Sequence, residues 1–154
     1  MHHDRVSIIP AEASHIRLLM GRLRDADLCE IQAAGFDVRR ALWRSYRASV
    51  FTRAAFVDGE LAAGWGMGGS PFGKTGRPWL FTAPAAERVP VSFIKIGRAE
   101  VEKMLGLCPR LVGVVDAQYT RAVRFLAMMG FELSDPFQYG PREAPFRRYT
   151  IGSQ

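Results

Sequence analysis

Two carboxylates and an arginine are regularly spaced in a segment with helical periodicity. Arg24, Asp27 and Glu30 follow one another at intervals of three residues, so their side chains share one flank of a helix and can pair. A carboxylate beside a substrate groove can act as a general base and remove a proton from an attacking nucleophile. The same spacing is typical of an ion-pair ladder on an exposed helix face, and the sequence leaves both interpretations open.

A third acidic residue ends a strongly apolar, β-branched segment. Asp116 directly follows residues 111–115, which have the composition of a strand buried on both faces. We therefore expect Asp116 near the centre of a sheet, where it is a further candidate base. An aspartate in this position can equally cap the helix that follows it.

A glycine-rich segment matches the phosphate-loop pattern of nucleotide hydrolases. Gly68 and Gly73 enclose four residues, and Lys74 and Thr75 follow them. The pattern binds a phosphate only where the Lys-Thr pair opens a helix, because the positive end of that helix faces the anion. A glycine and a proline follow within three residues, which excludes a helix at this point. The segment is predicted to connect two strands, and not to bind ATP.

The cysteines and histidines lack the spacing of a metal site. Cys29 and Cys108 lie on apolar helix faces, and we expect both to be core thiols, not ligands or nucleophiles. His15 is expected on a helix surface. We predict no metal cofactor.

Composition indicates an ordinary globular protein. The chain has 154 residues, of which 48% are hydrophobic and 23% charged, and we expect residues 1–154 to form one domain. There is no apolar run long enough to cross a bilayer and no secretory signal at the start, so a cytoplasmic location is expected. The formal net charge is +6, and 18 of the 21 basic residues are arginines. Basic and aromatic residues do not cluster on one evident face, and nucleic acid is therefore not an expected partner.

The periodicity of the apolar residues predicts a strand, three helices, three antiparallel strands, a helix, a strand, a helix and two final strands. The predicted strands are residues 6–9, 53–57, 60–67, 78–82, 111–115, 131–133 and 146–151. The predicted helices are residues 12–23, 25–34, 37–50, 94–108 and 119–129. This order belongs to the mixed α/β class, with parallel and antiparallel strand pairs in one sheet.

The order resembles that of the GNAT (GCN5-related N-acetyltransferase) enzymes across nearly the whole chain. The most specific local match is Ala122, eight residues before Gly130 and Phe131, which is similar to the last helix and turn of that family. The resemblance implies a mostly antiparallel sheet that is splayed between its fourth and fifth strands. It also implies acetyl-CoA or CoA as cofactor, and direct attack of an unknown amine on the acetyl group.

Three segments carry a narrower resemblance to the GNAT-like proteins of tailed phages and prophages, some of which are internal virion proteins. These segments are residues 23–35, 76–80 and 140–147. The resemblance implies a protein of the host cytoplasm or of the virion, with a phage structural protein or a host protein as partner. It is also compatible with a GNAT fold that is kept without catalysis.

The family resemblance suggests where an acyl-CoA would bind. The expected cofactor-binding residues lie in the fourth strand and the segment after it: Leu80, Phe81, Thr82, Arg88, Val91, Ser92, Phe93 and Lys95. GNAT enzymes hold the cofactor pyrophosphate on a Gln/Arg-x-x-Gly-x-Gly/Ala turn. Here residues 87–93 contain no glycine, and Pro90 lacks a backbone donor, so the phosphate loop is predicted to be degenerate.

The last helix also departs from the family pattern. Tyr119 stands where the family often carries an asparagine, and Leu126 stands where it often carries a tyrosine that protonates the leaving thiolate. Tyr119 is close enough in sequence to replace that tyrosine, although it can equally pack its ring at the helix entrance. In GNAT folds the helical region of Asp27 and Glu30 borders the acceptor groove. The expected catalytic residues are therefore Glu30, Asp27 and Tyr119.

Overall fold

Eight strands form one mixed sheet in the computed structural model, which describes residues 5–69 and 73–153. The strands are β1 (Val6–Pro10), β2 (Ser49–Val57), β3 (Glu60–Gly68), β4 (Thr75–Thr82), β5 (Arg110–Asp116), β6 (Glu132–Leu133), β7 (Phe137–Tyr139) and β8 (Ala144–Gly152). Their spatial order is β1-β2-β3-β4-β5-β8-β6, and β7 also pairs with β8. All neighbouring pairs are antiparallel except β4 and β5, which are parallel. The predicted fold class, a mostly antiparallel mixed sheet, is confirmed.

Helices cover both faces of this sheet. They are α1 (Ala13–Met20), α2 (Asp25–Ala33), α3 (Val38–Arg47), α4 (Pro90–Leu107) and α5 (Thr120–Met128). A short 3-10 helix, Pro84–Arg88, connects β4 to α4. In the described part of the chain, none of the helices combines the length and apolar character that crossing a bilayer requires.

Two apolar clusters fix the helices on the sheet. On one face, Ile16, Leu19 and Leu42 of α1 and α3 pack with Ala54 of β2. On the other face, α4 and α5 cover a cluster that includes the adjacent Ala55. Neighbouring strand residues thus face opposite layers, as the pleat of a strand requires.

Local chemistry explains where several helices begin and end. The Asp37 side chain accepts a hydrogen bond from Arg40 N at 3.2 Å and caps α3. Gly35 and Gly130 follow α2 and α5 with φ of +86° and +99°, a conformation that favours glycine after a helix. The helix ends predicted from these residues are confirmed.

Several elements differ from the prediction: α1 ends three residues earlier, and β2 and α4 each begin four residues earlier, than predicted. Helix α3 ends at Arg47, and Val50 belongs to β2, since Ala48 caps the helix and the β2–β3 ladder begins at Ser49. Strand β4 begins at Thr75, three residues before the predicted start at Pro78. Strand β7 lies in a segment predicted to be a loop, because its pairing with β8 depends on a hairpin that residue types alone did not indicate.

The phosphate-loop segment behaves as predicted. Thr75 begins a strand and not a helix, so the geometry that the nucleotide motif needs is lacking. Residues 70–72 of this segment lie outside the described residues. Gly76 lets β4 and β5 approach closely, since a Cβ atom there would meet the Met67 sulfur and, at 3.0 Å, the Leu111 side chain.

The sheet opens directly after that close approach. Strands β4 and β5 pair only at Thr75 with Arg110 and at Gly76 with Leu111, and they then separate. Pro78 is the next residue of β4 whose backbone nitrogen faces β5, and it has no hydrogen to donate. We call the space between the diverging strands the cleft. The predicted splay between the fourth and fifth strands is confirmed.

Candidate active site

Tyr149 occupies the narrow end of the cleft. It lies on β8 opposite Gly113 of β5, and its ring crosses Gly113 so closely that a Cβ atom there would overlap the phenol. Its hydroxyl donates to the Pro78 carbonyl oxygen on β4 at 3.3 Å. Burial, and to a smaller extent the charge of Glu30, raise the pKa of Tyr149, so this phenol stays protonated. One hydrogen bond therefore links β8, the neighbour of β5, to β4 across the narrow end of the cleft.

Asp27 binds the far end of β4. Its Oδ2 atom accepts from the backbone N–H of Thr82 at 2.8 Å and from the Thr82 hydroxyl at 2.7 Å. Its Oδ1 atom accepts from the Tyr119 hydroxyl at 3.3 Å. Asp27 is 8% exposed, and both of its oxygens are engaged. This carboxylate is therefore placed to hold its neighbours in position.

Glu30 reaches β5 from the next turn of α2. Its Oε2 atom accepts from the backbone N–H of Asp116 at 3.1 Å. Burial raises the pKa of Glu30 to about 7; the Asp116 N–H opposes this shift, and the charges of Asp27 and Asp116 add to it. Near neutral pH, Glu30 therefore exchanges readily between its charged and neutral forms.

Arg24 and Tyr119 close the side of the cleft where β4 and β5 end, which we call the mouth. Arg24 Nε donates to the Thr82 hydroxyl at 2.8 Å, and Arg24 Nη2 donates to the Tyr119 hydroxyl. Burial and the charge of Asp27 raise the pKa of Tyr119 to about 12, although the Arg24 charge opposes the shift. Tyr119 therefore carries its proton at neutral pH, and it directs that proton to Asp27.

The structure thus places Asp27, Glu30 and Tyr119 around one cleft. Arg24, Asp27 and Glu30 do not form an exposed ion-pair ladder, since within the described residues the acidic partner of Arg24 is Glu87. Asp116 is 8% exposed, and its Oδ1 atom accepts from Gln118 N at 2.9 Å. The Asp116 side chain thus closes the turn before α5 and does not cap that helix, whose N-cap residue is Tyr119 without a side-chain cap bond, so the capping alternative was wrong.

The expected donor-binding residues of β4 have different surroundings. Leu80 is exposed, whereas the Phe81 ring packs beside Trp79 with centroids 5.5 Å apart on the α1–α3 side of the sheet. Thr82 is buried and bonded to Asp27 and Arg24. Of these residues, Leu80 is the one whose side chain is open to a ligand.

The expected phosphate-binding residues surround the start of α4. Pro90 is the first helical residue, and the Phe93 N–H donates to the Val89 carbonyl at 3.0 Å. Between them, the amides of Val91 and Ser92 have no hydrogen-bond acceptor among residues 5–69 and 73–153. The helix N-terminus thus leaves two amides without an acceptor among the described residues.

The side chains near this helix start are only partly available. Arg88 Nη2 is paired with Glu60 at 3.0 Å, and Lys95 is exposed on the helix surface. Phe93 is partly buried and contributes to the core. Val91 is 65% exposed.

Several residues at this site were missed in the sequence. Glu87 Oε1 accepts from Arg24 Nη1 at 3.2 Å and lies 3.6 Å from Arg121 Nη1. No local pattern indicates this three-residue contact, because its members come from three separate elements. Tyr149 was also missed, although a glycine at position 113 within a β-branched strand was a signal of close approach.

Other predicted residues have structural roles or none. Leu126 packs partly buried against the α4–α5 core and offers no proton. Cys108 is a buried core thiol as predicted, but Cys29 is exposed, so its prediction was wrong: the apolar face of α2 points elsewhere. His15, expected on the surface, is half-buried on α1, where its ring packs against Phe56 and its Nδ1 atom accepts from Glu12 N at 2.9 Å. Across the described ranges, His, Cys, Asp and Glu side chains do not gather in threes as a metal ion would need.

Comparison with solved structures relates this architecture to acetyltransferases. RimL, the ribosomal L7/L12 alpha-N-protein acetyltransferase, in complex with coenzyme A, matches with a TM-score of 0.68 at 12% identity, over 96% of this chain and 94% of that one. A GNAT-family acetyltransferase from Bacillus anthracis matches with a TM-score of 0.68 at 12% identity, over 96% and 95%. AAC(6')-Ib in complex with ribostamycin and coenzyme A matches with a TM-score of 0.69 at 18% identity, over 98% and 95%.

Sequence comparison gives no such match. No protein-family model matches the chain, and no curated protein matches it significantly. The fold is thus that of the GNAT acetyltransferases, recognised through its structure.

Proposed function

We propose that this chain is an acyltransferase that moves an acetyl group from acetyl-CoA to an amine by direct attack. The observation that carries the proposal is the cleft, which has an unpaired strand edge on one side and Glu30 and Tyr119 at its end. Residues 1–154 act as one domain in this proposal.

The edge of β4 fits the amide-containing arm of coenzyme A. Along a strand, the backbone N–H and C=O groups of successive residues point to opposite edges. The Thr82 N–H and the Pro78 carbonyl both point into the cleft, where Asp27 and Tyr149 bind them. The N–H and C=O of Leu80, between these two residues, must point the same way. Leu80 therefore offers a donor and an acceptor to an extended ligand, in the manner of strand addition.

The site for the phosphates of coenzyme A is less complete than the site for its amide-containing arm, and in this proposal the phosphate loop is degenerate. The free amides of Val91 and Ser92 and the positive end of α4 supply an anion site. Arg88 and Lys95 add positive charge nearby. The bound thioester would supply an activated acyl group. The chain positions that group and provides the side chains that accept and donate protons.

Glu30 is the general base. Its Oε2 atom is held by the Asp116 N–H, whereas its Oε1 atom has no hydrogen-bond partner in the described residues. With a pKa of about 7, Glu30 can take a proton from an amine and release it near neutral pH. Asp27 fixes Thr82 and Tyr119 with both oxygens and does not serve as the base.

Tyr119 is the general acid in place of the tyrosine that Leu126 replaces. Its phenol retains its proton at neutral pH, since its pKa is about 12. Arg24 donates to the same oxygen and would stabilise the phenolate formed when the proton leaves.

Binding and turnover test this function separately. We expect calorimetry to detect acetyl-CoA and CoA binding, and an amine panel to reveal acetylation that Glu30→Gln slows about 100-fold at pH 7. Asp25→Asn, on the exposed face of the same helix, is the control. Absence of binding at millimolar acetyl-CoA would reject the proposal.

A second candidate is a non-catalytic GNAT-fold protein of phage or prophage origin, found in the host cytoplasm or the virion. The packing of Leu126 into the core and the lack of glycine at residues 83–93 favour it. In that case the chain would co-purify with phage particles or a host protein. Steady acetylation of an amine, lost in Glu30→Gln, would eliminate this alternative.

A further inference from the structure

Glu87 places one carboxylate oxygen between two guanidinium groups. Its Oε1 atom lies 3.2 Å from Arg24 Nη1 and 3.6 Å from Arg121 Nη1. Arg24 precedes α2, Arg121 lies in the first turn of α5, and Glu87 lies in the 3-10 helix after β4. Three elements therefore meet at the mouth of the cleft through one oxyanion.

Of the two arginines, Arg24 has a fixed orientation, whereas Arg121 is largely exposed. Arg24 also donates to Thr82 and Tyr119, so its guanidinium has a fixed orientation and its side chain is 20% exposed. The Arg121 side chain is 76% exposed, and that of Glu87 is 50% exposed. Exposed ion pairs contribute little to stability, so Glu87 can leave this position without disrupting the fold.

The charges at this place favour a stronger anion than a carboxylate. Glu87 is the carboxylate that contacts both guanidinium groups, since Asp27 reaches Arg24 only through the Thr82 and Tyr119 hydroxyls. A phosphate in the place of Glu87 would bring more charge and more acceptor oxygens. The segment beside them is poor in backbone donors: residues 83–93 contain no glycine, and Pro90 has no N–H. Arginine side chains can supply the positive charge that this backbone does not.

We propose that Arg24 and Arg121 form a phosphate-binding subsite, which the chain's own Glu87 fills until a phosphate group of the acyl donor displaces it. The inference rests on the proposed function, because it assigns the anion to the donor. It makes Glu87 a competitor of that phosphate and Arg121 a determinant of donor affinity.

Inorganic pyrophosphate tests the subsite without the acyl donor. By calorimetry, we expect Glu87→Gln to tighten pyrophosphate binding and Arg121→Gln to weaken it, each by about 3- to 10-fold. Matched controls change the same charges elsewhere: Glu102→Gln on α4, about 18 Å along the helix from its start, and Arg124→Gln one turn further on α5. Equal affinities for Glu87→Gln, Arg121→Gln and their controls would overturn the subsite.

A comparison of coenzyme A with S-acetylpantetheine, which lacks the phosphates, tests whether the subsite binds a phosphate of the donor. We expect the Glu87 and Arg121 variants to change the affinity for CoA in the same directions, and to leave that for S-acetylpantetheine unchanged. If CoA binds and neither variant alters its affinity, the subsite is wrong and the proposed function stands. If CoA does not bind, but pyrophosphate binding responds to both variants, the two arginines bind phosphate as inferred, whereas the proposed function and the assignment of that phosphate to the acyl donor both fail.

Discussion

Asp27 Oδ2 accepts hydrogen bonds from both the backbone N–H and the hydroxyl of Thr82, at 2.8 and 2.7 Å. Asp27 belongs to the first turn of α2, and Thr82 is the last residue of β4. One carboxylate therefore attaches the N-terminal helices to the strand edge that lines the cleft. Because these bonds are buried and accepted by a carboxylate, we expect them to contribute strongly to the free energy of unfolding.

Replacing Asp27 with asparagine should destabilise the protein. The amide keeps one acceptor oxygen and turns an NH₂ group toward Thr82 or Tyr119, which leaves buried donors without partners. We expect Asp27→Asn to lower the free energy of unfolding by about 2–3 kcal/mol, measured by urea denaturation. Asp25→Asn, in the same helical turn but exposed, should cost under about 1 kcal/mol. Equal losses in the two variants would contradict a specific role for Asp27.

Glu30 should make stability depend on pH. Its pKa rises from 4.5 in its ordinary state to about 7 in the fold, so the folded protein binds this proton more tightly than the unfolded chain. The associated stabilisation is complete below pH 4.5 and is lost as the pH rises to about 7. Compared with Glu30→Gln, the wild type should lose about 2–3 kcal/mol over that interval. Parallel stability curves for the two proteins between pH 4.5 and 7.5 would refute the shift.

Gly113 should not tolerate a side chain. A Cβ atom at this position overlaps the Tyr149 phenol, so Gly113→Ala must displace the ring and its bond to Pro78. We expect a loss of about 2–4 kcal/mol in unfolding free energy. Gly106→Ala is the control: among the described residues no atom lies within 4 Å of its Cβ position in α4, and helix propensity predicts a gain of up to about 1 kcal/mol. A Gly113→Ala protein as stable as wild type would show that Tyr149 is not held there.

Tyr119→Phe separates a catalytic from a packing role. If the phenol protonates the leaving thiolate, the variant should lose about 10²-fold in kcat with little change in KM for acetyl-CoA. Tyr139→Phe, a partly buried tyrosine of β7, should stay within about twofold of wild type in the same acetylation assay. If Tyr119→Phe leaves kcat unchanged, Tyr119 has no catalytic role and only packs beside Arg24 and Asp27.

The sequence alone determined the elements and their order. Apolar periodicity predicted the helices and most strands, and the glycine and proline after Thr75 were sufficient to exclude the nucleotide loop. Asp37, Gly35 and Gly130 marked helix ends because capping and positive φ depend on the residue and its immediate neighbours. Helical spacing also placed Asp27 and Glu30 of α2 on one flank, although it was the family resemblance that suggested a groove beside them.

Only the tertiary structure decided what those residues do. Whether Asp27 and Glu30 form a surface ladder or enter a cleft depends on where α2 lies against β4 and β5, which are distant in sequence. The Tyr149–Pro78 bond spans 71 residues, and the contact of Glu87 with Arg24 spans 63. Periodicity reports which face of an element is apolar, but not which distant polar group lies opposite a given side chain. Charge, proton affinity and accessibility at this cleft therefore follow from packing between elements.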